Sequence, residues 1–143
     1  MSKILIVCAN FYEDIANNLL EGALSEIKKS NYDYEIYKVD GVFEIPALIK
    51  LSLVNKEYIG WVTLGCVIRG ETTHYDYVCG ESARGINKLA LKYNLPIGYG
   101  IITCENQEQA LVRADINQKN VGGKSAKATL TMISAKNYFN SKV

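Results

Sequence analysis

The run Gly60-Trp-Val-Thr-Leu-Gly-Cys-Val-Ile68 constrains this chain more than any other stretch. It is nearly continuously apolar and rich in β-branched side chains, as expected of a strand covered on both faces in a parallel sheet. Such a strand needs helices above and below it, and the rest of the sequence supplies them by alternating strand-like and helix-like segments. The run empties into Arg69-Gly-Glu-Thr-Thr-His-Tyr-Asp76, a polar loop holding the only histidine of the protein. Val78, Ala83, Ile86, Leu89, Ala90 and Tyr93 then recur at helical spacing. The loop therefore lies at the carboxyl end of a strand and the amino end of a helix, where open α/β sheets bind ligands and unpaired amides favour anions.

The other elements follow in the same alternation. Lys3 to Ala9 reads as a first buried strand, and a helix follows with Ile15, Leu19, Leu20, Ala23, Leu24 and Ile27 on one stripe and Asn10 or Asp14 as its cap. Tyr34 to Val39 alternates polar and apolar residues, the pattern of a strand nearer the sheet edge, and Asp40-Gly41 breaks it. Pro46 suits the first turn of a helix carrying Ala47, Leu48, Leu51 and Leu53. Ile97 to Thr103 is a fourth strand, followed by a short helix from Glu105 to Ala114 with Thr103 as cap and Leu111 and Val112 on its apolar side. A last helix begins near Gly123 and carries Ala126, Leu130, Ile133 and Ala135. The expected fold is α/β, a parallel sheet with helices on both faces, in one domain over residues 1–143. Its topology brings Phe11, Phe43 with Glu44, Arg69 to His74, and Thr103 onward to one rim.

A net charge of +1 with interspersed signs gives no reason to expect nucleic acid or an anionic membrane as partner. The longest apolar run, Tyr58 to Ile68, is about half of the roughly 20 residues that span a bilayer, and the amino terminus enters a strand without a signal-peptide pattern. A cytoplasmic protein is expected. Cysteines at 8, 66, 79 and 104 form no C-x-x-C pair and no metal-ligand spacing with the lone histidine, so they read as reduced, mostly buried small hydrophobes and no metal is expected. Gly65 and Gly70 have the spacing of a P-loop, but Glu71-Thr72 stand where Lys-Ser/Thr is required. A simpler phosphate cradle from the Gly70, Glu71 and Thr72 amides survives that failure.

Each candidate residue has a plain structural alternative. His74 is equally a helix-capping or solvent-facing histidine and a group that moves protons near pH 7. Arg113 reads first as a solvated cation on a helix, Phe11 and Phe43 as core or loop staples, and Glu44 as a helix-start charge.

Taken together, Ala9-Asn-Phe-Tyr-Glu13, Gly41-Val-Phe-Glu-Ile-Pro46, Leu64-Gly-Cys-Val-Ile-Arg-Gly-Glu-Thr-Thr-His-Tyr-Asp-Tyr-Val-Cys79, Gly100 to Ala110 and Arg113-Ala114 resemble the lumazine synthase family in order and spacing. The resemblance implies a flavodoxin-like three-layer sandwich with a four-stranded parallel sheet. It implies riboflavin biosynthesis: condensation of 5-amino-6-(D-ribitylamino)uracil with 3,4-dihydroxy-2-butanone 4-phosphate to give 6,7-dimethyl-8-ribityllumazine, with no cofactor. Carried over by residue, Phe11 stacks on the pyrimidine, and Val42, Phe43 and Glu44 line the ribityl and ring pocket. Cys66, Val67 and Ile68 hold the uracil edge through their backbone, Glu71 and Thr72 receive the phosphate, and His74 shuttles protons. The family's sites lie between subunits of a pentamer, so Tyr99 and Arg113 would reach substrates held mainly by the adjacent chain.

The sequence departs from the family at Asn120-Val121-Gly122, where an Asn-Lys-Gly triplet is usual, leaving Lys119 and Lys124 as nearby substitutes. A tyrosine stands at position 99 in place of the more familiar phenylalanine, and little of the family's amino-terminal extension precedes Lys3. Two rivals share the fold. An archaeal-type riboflavin synthase is disfavoured by Gly-Glu-Thr-Thr-His, and a non-catalytic flavin- or phosphate-binding shell protein is disfavoured by the presence of both His74 and Arg113.

Overall fold

The computed structural model describes residues 2–143. Four strands and five α-helices alternate as β1 (Lys3–Ala9), α1 (Glu13–Ile27), β2 (Asp33–Val39), α2 (Ile45–Ser52), β3 (Tyr58–Ile68), α3 (His74–Tyr93), β4 (Ile97–Cys104), α4 (Gln107–Ala114) and α5 (Val121–Asn140). A 3-10 turn over Val42–Glu44 precedes α2. The sheet order is β2-β1-β3-β4 and every neighbouring pair is parallel.

Period-2 alternation along each strand divides the interior into two cores. Ile4, Ile6 and Cys8 of β1, with Val62, Leu64 and Cys66 of β3, pack against α1, α4 and α5. Leu5, Val7 and Ala9 pack on the opposite face with Val42, Ile45 and Ile49 and with Val78 and Ile86 of α3. The result is the expected three-layer sandwich, with β3 covered on both faces. Each fully buried Ile or Leu contributes about 1.5–3 kcal/mol by leaving water. Among the described residues no helix is long and apolar enough to cross a membrane.

Several local expectations need correction. Neither Asn10 nor Asp14 caps α1; Tyr12 takes the cap position without a side-chain bond, and Asp14 lies within the first turn. Strand β4 runs one residue beyond Thr103, so α4 starts at Gln107 and is capped by Asn106, whose Oδ1 accepts from the Gln109 amide. The buried side of α4 is Ala110 and Ala114, whereas Leu111 is exposed. Small residues are favoured there because α4 lies close against the sheet. In α2 the core residues are Ile45 and Ile49, and Leu51 faces outward. Helix α5 begins at Val121, because Asn120 in the left-handed region (φ 45°) caps it by accepting from the Gly123 amide.

Close approach explains how α5 seats. A Cβ on Gly98 of β4 would fall 1.9 Å from the Ser125 carbonyl oxygen, and one on Gly122 would fall 2.0 Å from that of Leu19 in α1. Only hydrogen in place of a side chain allows these backbones to meet. A buried hydroxyl of α5 then fixes the contact, Thr129 Oγ1 donating to the Trp61 carbonyl of β3 at 2.7 Å, while Thr63 Oγ1 ties β3 to β4 by donating to the Gly98 carbonyl at 3.0 Å. Urea unfolding of Gly98→Ala should therefore show a loss of about 3 kcal/mol, or no folded state, because the clash is with backbone that cannot rotate away. Gly80→Ala, in α3 with open space around it, should instead gain about 0.5–1 kcal/mol from helix propensity. Equal stability of the two variants would contradict this packing.

Candidate active site

Strand order creates the site. The chain leaves β1 toward β2 on one side and returns through α2 to β3 on the other, so a crevice opens between the carboxyl ends of β1 and β3. Register deepens it. The last β1–β3 pair is Cys8 with Leu64, but β3 continues to Ile68 with β4 as its only neighbour, pairing Cys66 with Ile102 and Ile68 with Cys104. The edge of β3 from Cys66 to Ile68 therefore faces the crevice beyond the end of β1, while Gly65 lies against Ala9, where a Cβ would come within 3.1 Å of the Ala9 Cβ.

The crevice is a cleft of about 510 Å³. Phe11 and Tyr12 come from the segment after β1, and Val42, Phe43 and Glu44 from the segment after β2. Cys66, Val67 and Ile68 form its floor, and Gly70, Thr72, His74 and Tyr75 come from the β3–α3 loop and the first turn of α3. Phe11 is 73% exposed and Phe43 54%, too open for the core staples that the plain reading suggests. Phe11 is held edge-on against Tyr12, with ring centroids 4.9 Å apart. The space around Glu44 depends on Gly41, where a Cβ would come within 3.1 Å of Glu44 Oε1.

The loop after β3 is shaped by its own side chains. The His74 amide donates to Thr72 Oγ1 at 3.3 Å, and Thr73 takes the cap position without a side-chain bond. The His74 side chain is exposed at the start of a helix of 20 residues, whose dipole favours an anion nearby. Among the described residues no lysine or arginine lines the cleft, and Glu44 is the one carboxylate there. Burial, together with the neighbouring Cys104, pushes the Cys66 thiol up to about 12, so Cys66 is not a thiolate nucleophile and contributes to the floor as backbone and bulk.

Nine of the residues singled out in the sequence thus share one cleft: Phe11, Val42, Phe43, Glu44, Cys66, Val67, Ile68, Thr72 and His74. Three stand apart within the chain. Glu71 is exposed on the loop but does not line the cleft; Tyr99 lies on β4, at the other edge of the sheet, 43% exposed. Arg113 lies on α4, half-buried, with Nη1 donating to the Gln109 carbonyl at 3.1 Å. Tyr12 and Tyr75 are lining residues that sequence reading passed over. Their adjacency to Phe11 and His74 at strand-to-helix junctions was the available signal. Among the described residues there is no cluster of His, Cys, Asp and Glu suited to a metal ion.

The family model described as 6,7-dimethyl-8-ribityllumazine synthase matches residues 1–137. A protein of that name from Paramagnetospirillum magneticum is 45% identical, with 95% of each chain covered. Relatives of the same name from Zymomonas mobilis and Agrobacterium fabrum are each 48% identical, over 95% of this chain and 97% of theirs.

The four cysteines give a test of the site's interior. Cys8, Cys66 and Cys104 are buried and Cys79 is half-buried, all as free thiols. Iodoacetamide at about pH 8 should label Cys79 in the native protein and the other three only in denaturant, as read by mass spectrometry. Prompt labelling of Cys66 would contradict the closed floor. Burial also pushes Cys8 up to about 11 from an ordinary 9.0. The folded chain keeps protons on Cys8 and Cys66 that the unfolded chain loses, so their contribution to stability is complete below about pH 9 and declines as pH rises toward 11–12. Urea midpoints measured across that window should fall; a flat profile would show that the thiols are not buried as described.

Proposed function

This chain belongs to the 6,7-dimethyl-8-ribityllumazine synthase family, and we propose from that premise that its cleft condenses 5-amino-6-(D-ribitylamino)uracil with 3,4-dihydroxy-2-butanone 4-phosphate. The family is one of riboflavin biosynthesis, and its enzymes are transferases. The observation that carries the reading is the edge of β3 exposed beyond β1. Peptide groups from Cys66 to Ile68 can hydrogen-bond the polar edge of a uracil as another strand would, while Phe11 stacks on the ring. Val42, Phe43 and Glu44 then enclose the ribityl side, with the Glu44 carboxylate accepting from hydroxyls.

The chemistry is proton movement between two positioned molecules. The pyrimidine's 5-amino group adds to the butanone carbonyl and water leaves, forming an imine. Loss of a carbon-bound proton expels phosphate, and the ribityl-bearing nitrogen closes the ring with loss of a second water. No step changes the substrates' combined oxidation level, so no redox cofactor is needed. Holding the two partners in reacting geometry contributes most of the acceleration. His74, exposed at the cleft beside the loop, is the group we assign to moving protons. The loop amides and the Thr72 hydroxyl, with Glu71 contributing its amide, receive the phosphate at the start of α3.

A dianionic phosphate also calls for a cation, and the cleft of a single chain supplies none. This supports a homopentamer, alone or in a larger shell, in which Arg113 and Tyr99 of one chain complete the cleft of the next, the guanidinium fork pairing with phosphate oxygens. Lys119 and Lys124, both exposed beside the start of α5, are available for the role of the family's lysine. A cytoplasmic location fits a soluble biosynthetic substrate pair.

The direct test is to mix the purified chain with the two substrates and follow lumazine absorbance above the spontaneous rate. Acceleration is expected; a folded oligomer that binds both substrates without acceleration would be a binding or shell protein. His74→Ala should lower kcat by about 100-fold, the low end for a positioned acid–base group, with little change in pyrimidine binding. Unchanged kcat would remove the proton-shuttle role. Arg113→Ala should raise KM for the butanone phosphate by about 10-fold or more, as for a lost charge-assisted contact. A native KM would take Arg113 out of the site.

A further inference from the structure

Arg69 is the one lysine or arginine between β3 and α3, yet it does not line the cleft. Its guanidinium is committed elsewhere. Nε donates to both carboxylate oxygens of Glu105, at 3.0 and 3.3 Å, and Nη1 donates to Asp76 Oδ1 at 3.5 Å. Its carbon Cζ stands 4.3 Å from the centroid of the Tyr75 ring. The Arg69 amide in turn donates to the Cys104 carbonyl at 2.9 Å. Glu105 follows β4, whereas Tyr75 and Asp76 belong to the first turn of α3. One side chain thus ties both ends of the 69–76 loop to each other and to β4.

The segment enclosed by this clamp contains Gly70, Thr72 and His74, all of which line the cleft. Tyr75, packed against the guanidinium, lines it too. The ion pairs are partly exposed, and each alone contributes little to stability. A planar fork that meets a carboxylate at two oxygens, reaches a second carboxylate and stacks on a ring nevertheless fixes geometry in a way that a lysine cannot. Its charge is also offset by two carboxylates, which leaves little of it for a third anion.

We infer that Arg69 is a positioning residue: it holds the Gly70–His74 loop in the shape that receives the phosphate end of the butanone substrate, and it is not itself a phosphate ligand. The inference rests on the reaction proposed above. It is separated from the direct-ligand alternative by the sign of one effect, because Glu105 restrains Arg69 from outside the cleft. If Arg69 positions the loop, weakening Glu105 loosens the loop and phosphate binding suffers. If Arg69 were a ligand held back by Glu105, weakening Glu105 would release it and phosphate binding would improve.

The experiment compares KM for each substrate, and Tm, in the native protein, Glu105→Gln and Arg69→Lys. KM for the butanone phosphate should rise about tenfold in both variants through misplacement of the loop, with KM for the pyrimidine within twofold of native and Tm nearly unchanged. A lower or unchanged phosphate KM in Glu105→Gln overturns the inference, as does native behaviour of Arg69→Lys. Parallel losses in both KM values together with Tm would mean a general structural role, which also overturns it. If the native protein does not accelerate lumazine formation, the proposed reaction fails, and calorimetry with inorganic phosphate decides the positioning role separately. Weaker binding in Glu105→Gln supports it; equal or tighter binding, or no binding to the native protein, overturns it.

Discussion

Strand β3 is paired on both edges from Trp61 to Leu64 and on the β4 edge alone from Gly65 to Ile68. That change in pairing is the constraint on which the rest of the molecule depends. The doubly paired half, covered above and below by the two cores, anchors the sheet. The singly paired half leaves peptide groups facing a crevice at the point where strand order reverses. An unpaired strand edge is ordinarily a hazard because it invites another chain. Here the segments after β1 and β2 enclose it, so the same exposed groups can serve a small, planar, hydrogen-bonding ligand.

Holding β3 in that position takes the whole of the α5 contact. Gly98 and Gly122 bring α5 against β4 and α1 at backbone distance, and Thr129 bonds the Trp61 carbonyl of β3 itself. The far end of β3 is held by different means, through the Arg69 amide on the Cys104 carbonyl and the Arg69 side chain on Glu105. Stability is thus concentrated below the cleft, in tightly packed apolar and hydroxyl contacts. Above it, the loops are shaped by exposed polar contacts that add little to overall stability.

Much of this was legible in the sequence because the two helical layers impose a pattern on every strand. The β3 run reads as a doubly covered strand, and Pro46 and Asp40-Gly41 set boundaries close to those observed. Register was not legible: nothing in Lys3 to Ala9 says that pairing with β1 stops four residues short of the end of β3. Caps were misjudged where two capping residue types stand close together. Thr103 and Asn106 both qualify, and the extension of β4 through Cys104 decides for Asn106. The inward face of α4 was misread because hydrophobicity alone favours Leu111 and Val112, whereas close packing selects Ala110 and Ala114. The cleft residues were found through loop convergence and family resemblance together, while the separation of Arg113 and Tyr99 from that cleft requires three dimensions to see.

The claim that unites these features is that a cleft without its own cation is completed by a neighbouring chain. It is tested most directly by subunit complementation. His74→Ala and Arg113→Ala chains, dissociated, mixed in equal amounts and reassembled, should form some sites with a native His74 from one chain and a native Arg113 from the next. Random arrangement around a ring makes these about a quarter of all sites, so the mixture, assayed with the butanone phosphate well below the native KM, where each variant alone is impaired, should regain about that fraction of native lumazine formation. A mixture no more active than the average of its parents would place both residues in the same chain's site and contradict the account.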